Sequence, residues 1–193
     1  HPLLRQRARP LAPEELGSEP IRELLADMVE TLRHAGGIGL AAPQVGESIR
    51  LAIIEIPGGP SRYGEIPPLP LTVFVNPEIE VLDERVAGCW EGCLSVPGLR
   101  GGVERPQHVR VRALGLDGRP FELELKGFLA TVLQHEFDHL DGRLYVDLVR
   151  DTRRLVFEDL LDAHLAGERA GDSAGDSAGD SAGPAVAARA APG

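Results

Sequence analysis

His135-Glu136-Phe137-Asp138-His139 puts two imidazoles and a carboxylate within little more than one helical turn. Residues i and i+4 are neighbours on a helix surface, so His135 and His139 can grip one metal ion from a single face. Glu136 then sits close enough to exchange a proton with water at that ion. The chemistry this pattern predicts is metal-assisted hydrolysis. A catalytic metal needs a third protein ligand and an open position. Cys93, in Glu91-Gly92-Cys93-Leu94-Ser95, is the best candidate, because the neighbouring glycine lets backbone approach a ligand and a metal-bound thiolate stays deprotonated. One thiolate and two neutral imidazoles acidify water less than three imidazoles would. A base such as Glu136, its pKa raised by burial, therefore matters more.

Two rival chemistries share these residues. Cys89, Cys93, His135 and His139 together would make a closed structural zinc site with no catalysis. Against it, Trp90-Glu91-Gly92 is bulky and charged where a zinc knuckle favours small turn residues, and Glu136 would have no task. Cys89 reads more simply as a small buried hydrophobe. An ordinary zinc peptidase would take its third ligand downstream, where His164 is available, but that residue reads as part of a surface. Between the first helix and the first strand lies Gly37-Ile38-Gly39-Leu40-Ala41-Ala42-Pro43-Gln44, whose small residues keep side chains away and leave backbone exposed. It lacks the lysine, the glycine spacing and the strand-to-helix order of a phosphate loop. The Gln44 amide is a neutral donor that could hold an oxyanion beside a metal.

The elements that must position these groups follow from the pattern. Ser18, with Glu19 and Pro20 after it, starts a helix; Ile21, Leu24, Leu25, Met28 and Leu32 recur at helical spacing, and Gly36-Gly37 ends it. A strand is predicted over 49–56, a Pro- and Gly-rich surface loop over 57–70, and strands at 73–76 and 78–82 separated by a turn at Pro77. Val109 to Leu114 and Phe121 to Leu125 alternate around Asp117-Gly118, a hairpin signature. A buried helix from about Gly127 to Leu140 carries the H-E-x-x-H run, with Phe128, Leu129, Val132 and Leu133 as its apolar surface. A third, amphipathic helix is predicted over 151–165, with Leu155, Val156, Leu160 and Leu161 inward. Strands outnumber helices and do not alternate with them, so the fold class is α+β: antiparallel or mixed sheets around a buried central helix, flanked by an N-terminal and a C-terminal helix.

Composition narrows the field further. The 193 residues suit one domain, residues 1–166, followed from 167 to 193 by a disordered tail built on three Gly-Asp-Ser-Ala repeats with nothing to bury. A net charge of −10 argues against DNA or RNA binding driven by bulk charge. The apolar runs are strand-sized, which predicts no membrane span. Two cysteines make no disulfide framework, and no signal peptide is visible. The chain opens on His1-Pro2 without an initiator methionine, so residues are expected upstream, and an organelle is not excluded beside a cytoplasmic location.

The segments GIGLAAPQ, EGCLS and QHEFDH, in this order, resemble the three signature motifs of the peptide deformylases, and the likeness covers essentially residues 1 to 165. The Pro-rich loop and Gly98-Leu99-Arg100 depart from the commonest bacterial pattern. The resemblance implies removal of the formyl group from the N-terminal formyl-methionine of new polypeptides. It implies Cys93, His135 and His139 as metal ligands, Glu136 as acid–base, and Gln44 with the Leu94 backbone N–H as oxyanion donors. By the same analogy Ile38, Phe128, Thr131 and Val132 line a methionine pocket. Ile38 and Gly39 offer backbone to the peptide, and Arg100 meets a carbonyl or carboxylate further along. Fe(II) is the expected metal, with Zn(II) next and Ni(II) or Co(II) also suited to the ligands. The expected partner is the formyl-methionyl nascent peptide. Arg153 and Arg154 read either as a contact to ribosomal RNA or as a solvated helix face, and Asp138 either as a support to the site or as a surface charge.

Overall fold

The computed structural model describes residues 1–61 and 64–167. Ten regular elements frame the site: helix α1 (Glu19–His34), strands β1 (Gly39–Ala41), β2 (Leu51–Ile56), β3 (Gly59–Ser61), β4 (Gly64–Ile66), β5 (Leu69–Cys93), β6 (Val96–Leu114) and β7 (Pro120–Lys126), helix α2 (Phe128–Leu140) and strand β8 (Leu155–Phe157). Five strands form an antiparallel sheet in the order β1-β2-β5-β6-β7, and β8 joins it along β6. The class is α+β, as the pattern of elements predicts.

The sheet is buried on both faces at its centre, which is why β2 reads as the near-continuous apolar run Leu51-Ala52-Ile53-Ile54. Ala52, Ile54 and Phe74 face α2 and meet Leu133, Phe137 and Leu140. Leu51, Ile53 and Val75 face the other way, onto Ile21, Leu25, Met28 and Leu32 of α1. Helix α1 begins after Ser18, whose carbonyl accepts from Arg22 N–H at 3.0 Å. It ends where Gly36 turns to φ +65° and Gly37 N–H returns to Leu32 O at 3.0 Å.

Three expectations need correction. First, the Pro- and Gly-rich segment is not all loop: Gly59–Ser61 and Gly64–Ile66 pair as a small ribbon, and β5 already begins at Leu69. A two-stranded ribbon is all edge, where a proline such as Pro60 is tolerated. Second, no turn breaks the chain at Pro77. β5 runs straight through, and the irregularity is absorbed as a bulge between Val75 and Glu78. Asn76 takes φ +48° there, and its side chain bonds both Leu11 N–H and Leu11 O at 2.9 Å. Asparagine is among the few residues that visit this backbone region readily.

Third, the helix expected over 151–165 is interrupted. Thr152–Arg154 form a short 3-10 turn, Leu155–Phe157 form β8, and helix resumes only at residue 161. Leu161 is buried as expected, but Leu160 is 54% exposed. The pairing register Leu99↔Phe157, Arg100↔Val156 and Gly101↔Leu155 explains the change. β6 presents free backbone there, and a Leu-Val-Phe run satisfies it better as a strand than as a helical turn. The predicted tail lies, from residue 168 onward, outside the described residues. Among the described residues no helix is long and apolar enough to cross a membrane.

The feature that positions the site is the length of β5 and β6. They pair from Val75↔Leu114 to Cys93↔Val96 and extend as an arm past the central sheet. The tip of this arm reaches α2, and Cys93 sits at its end.

Candidate active site

Helix α2 is almost wholly buried, so its polar residues are there against a desolvation cost. His135 and His139 lie one turn apart with ring centroids 5.2 Å from each other. Cys93 Sγ comes to 3.2 Å from His139 Nε2. One ligand atom from each of Cys93, His135 and His139 lies within 4.8 Å of the others, the spacing of a set that could hold one metal ion. Cys89 is not in this group: its thiol points to Val103 O and to Glu91 Oε1, both at 3.4 Å, and burial pushes its pKa up. His164 is not in it either, and is not the plain surface residue expected, because its ring packs against Trp90 at 5.2 Å.

Each group near the cluster is held in place by a neighbour. His135 Nδ1 lies 2.7 Å from Glu91 Oε2, which fixes the ring and leaves Nε2 for a metal. Burial disfavours charge on Glu91, but His135 and Arg105 overcome it and hold its carboxyl at about 2. Arg105 reaches Glu91 Oε1 at 2.5 Å and Asp138 Oδ2 at 2.8 Å, all three groups being buried. Asp138 is thus a support beneath the helix and not a surface charge. Burial keeps His139 neutral by pushing its pKa down to about 3.

Glu136 is 6% exposed, and burial pushes its pKa up to about 7. Its Oε2 has no hydrogen-bond partner among the described residues. Gly39 explains how the carboxylate fits: a Cβ at that position would fall 2.4 Å from Glu136 Oε1. A buried orphan oxygen beside a thiol and two imidazoles is what a site for a cation and a reacting water requires, so the residues fit a metal centre.

Gln44 lies in a short 3-10 turn, Ala42–Val45. Its Oε1 accepts from Ala41 N–H at 2.7 Å, which aims its NH2 toward Ser95 Oγ at 3.2 Å and Cys93 Sγ at 3.7 Å. The amide orientation is therefore set by backbone. Ser95 N–H also points to Cys93 Sγ, at 3.4 Å.

A cavity of about 190 Å³ opens beside Cys93, His135 and Glu136. Ile38, Gly39, Gln44, Leu94, Phe128, Thr131, Val132 and Arg100 all line it, while His139 stands behind it. Its apolar end is formed by Ile38, Phe128 and Val132. Arg100 departs from the solvated rim residue that its type suggests. It is buried, it pairs with Glu158, and its guanidinium lies over Gly92, where a Cβ would be 2.1 Å from Nη1. That close approach is why position 92 is glycine. Arg154 covers the Trp90 ring at 5.4 Å, whereas Arg153 pairs with nearby Asp151 at 2.7 Å and stays solvated, its side chain 89% exposed; the helix expected to carry both is interrupted there.

Sequence reasoning missed Glu91, Arg105 and Glu158. Glu91 carries one signal, its place two residues before Cys93 at the strand tip. Arg105 and Glu158 carry none, since each is one charged residue among many and only the pairing of strands brings it inward.

Residues 1–155 match the family model of the polypeptide deformylases. The chain belongs to the polypeptide deformylase family. A peptide deformylase from Cellvibrio japonicus is 46% identical over 169 residues, covering 87% of this chain and 94% of the relative. One from Leptospira biflexa is 40% identical over 162 residues, covering 84% of this chain and 90% of the relative. Among solved structures, a Met-Ala-Ser-bound class I type b peptide deformylase from Acinetobacter baumannii matches with TM-score 0.71 and 39% identity, covering 77% of this chain and 93% of that one. A peptide deformylase from Synechococcus elongatus in complex with actinonin matches with TM-score 0.68 and 36% identity, covering 88% of this chain and 82% of that one. Deformylases are metallo-hydrolases that remove the N-formyl group from nascent polypeptides, and this chain is a hydrolase of that kind.

Proposed function

We propose that Cys93, His135 and His139 hold the metal ion of this hydrolase, and that Glu136, Gln44 and the Leu94 backbone N–H act on the formamide of formyl-methionyl peptides. The observation that carries this reading is the convergence of a thiol, two imidazoles, a desolvated carboxylate and an oriented amide at one cavity. Bound there, a divalent ion supplies Lewis acidity that polarises a carbonyl and acidifies water. Thiolate with imidazoles suits Fe(II) and Zn(II) alike; we assign Fe(II) as the resident ion and Zn(II) as a replacement.

The remaining steps belong to the protein. Glu136 takes a proton from the attacking water and returns it to the departing amine, so that a C–O bond forms, the C–N bond breaks, and formate leaves. Gln44 Nε2 and the Leu94 N–H receive the negative charge that grows on the formyl oxygen. Ile38, Phe128, Thr131 and Val132 enclose the methionine side chain. β1 ends the sheet, so the backbone at Ile38 and Gly39 can take the peptide as an added strand. Arg100, buried and paired with Glu158, backs the cavity wall that the peptide passes beyond the methionine. We take residues 1–166 as the catalytic domain and 167–193 as an appended tail, and place the enzyme in the cytoplasm, as its bacterial relatives support. The ribosome enters as the source of the nascent chain.

Formate release from a formyl-Met-Ala-Ser peptide, by protein purified anaerobically, tests this reading. The wild-type chain is expected to release one formate per free amine, and Glu136→Ala essentially none. Gln44→Ala is expected to keep its metal and lose about 10²–10³-fold in rate, the usual cost of one oxyanion donor. Near-normal turnover in Gln44→Ala would remove that residue from the mechanism. Cleavage of internal amide bonds would replace the reading with a peptidase.

A further inference from the structure

Resting on the reading above, we propose that Glu158 is a specificity-determining residue: its carboxylate, at the mouth of the cavity, reads the charge of the residues that follow formyl-methionine and disfavours acidic ones.

Three carboxylates line the cavity together with Arg100: Glu91, Glu136 and Glu158. Glu91 and Glu136 are buried beside the reacting centre. Glu158 differs, since its side chain is 37% exposed while that of its partner Arg100 is 6% exposed. A peptide leaving the cavity therefore meets the Glu158 carboxylate, with the guanidinium beneath it. A carboxylate with this access to solvent repels an acidic side chain and attracts a basic one.

The position of Glu158 is fixed by several independent contacts, which separates it from an ordinary surface glutamate. β8, which ends one residue before it, is paired to β6 through Leu99, Arg100 and Gly101. Arg154, just before β8, lies in a slot over β6, where a Cβ at Gly102 would fall 2.5 Å from its Nε. The same guanidinium covers Trp90, another residue of the cavity wall. Leu161, three residues after Glu158, is buried. From below, the Tyr145 hydroxyl donates to Leu99 O at 2.9 Å, and a Cβ at Gly101 would meet the Tyr145 ring at 2.8 Å. The carboxylate is thus carried on a braced wall.

The test compares kcat/KM for three peptides that differ only after the formyl-methionine, bearing Lys, Ala or Glu. Wild type is compared with Glu158→Gln, which keeps the shape and removes the charge, and with Glu158→Asp, which keeps the charge. Wild type should prefer the Lys peptide to the Glu peptide. In Glu158→Gln that ratio should fall about three- to tenfold, the effect expected of one unit charge several ångströms away in a half-solvated mouth. The Ala peptide should change less than about twofold, and Glu158→Asp should retain most of the preference. Raising salt should shrink the wild-type ratio. An unchanged Lys-to-Glu ratio in Glu158→Gln overturns the proposal. So does an equal loss on all three peptides, which would make Glu158 a brace of the wall only. Failure of the wild type on every formylated peptide would instead overturn the proposed function.

Discussion

Two sets of paired charges, on opposite sides of the sheet's β6 strand, use the same residue types to different ends. Against α2, Glu91, Arg105 and Asp138 form a buried group in which each charge touches the next, with the His135 imidazole bonded to Glu91. On the outer face of β5, β6 and β7, Glu80, Arg110, Arg112, Glu122 and Glu124 form a solvated ladder of ion pairs at 2.8 to 3.9 Å. The ladder has more ion pairs, yet its charges lose little by being separated, because water solvates each one. The buried group has no such alternative. Its members were taken out of water, and only their contacts with one another offset that cost. Number of ion pairs is therefore a poor guide to importance in this molecule, and burial is a good one.

Arg105→Ala is the most severe way to break that contrast. It leaves Glu91 and Asp138 as buried anions without their shared cation, and should lower stability by about 3–5 kcal/mol. The midpoint of urea unfolding, compared with wild type, reads this directly. Glu91→Gln is a smaller change of the same group. The fold should survive, but His135 loses the carboxylate that orients it, and metal affinity should drop about 10- to 100-fold. Competition of the protein against a chromophoric chelator measures that affinity without reference to turnover. Arg112→Ala in the ladder should shift stability by no more than about 0.5 kcal/mol and leave metal affinity and formate release unchanged. A loss from Arg112→Ala as large as that from Arg105→Ala would erase the distinction between the two sets.

The same contrast marks what could be read from the chain. The outer ladder is legible in outline: Arg110 and Arg112 alternate with Val109 and Val111, and Glu122 and Glu124 with Leu123 and Leu125, a period of two that predicts a half-solvated strand. The buried group gives no such sign. Arg105 lies next to Glu104 and Pro106 in a stretch that looks like a loop, and no periodicity distinguishes it from the exposed arginines around it. Its role appears only once β6 is paired with Trp90 and Glu91 of β5 and laid under α2. Asp138 had two readings for the same reason: helical spacing gives its angle on the helix but not what the helix leans on.

Local signals carried the rest of the site well. H-E-x-x-H brings two imidazoles and a carboxylate together because helical geometry is the same in every context. Gly39 could be recognised as a position that keeps side chains away, though only the structure names Glu136 as the group being accommodated. Helices α1 and α2 and the β6–β7 hairpin were readable from periodicity and turn residues. The segment over 151–165 was not, because its leucines and valines fit a helix or a strand about equally. The free backbone of β6 decided between the two.

Residue types and their spacing along the chain determined the reaction class, the set of candidate ligands and the α+β class, since each depends on chemistry or geometry within a few residues. The long β5–β6 arm decided that Cys93 arrives 3.2 Å from His139. It also decided that Arg105 is buried and that Glu158, carried by the strand paired to β6, lines the cavity. Those outcomes depend on which distant strands pair, and the free energy of that pairing belongs to the folded core as a whole and not to any stretch of sequence.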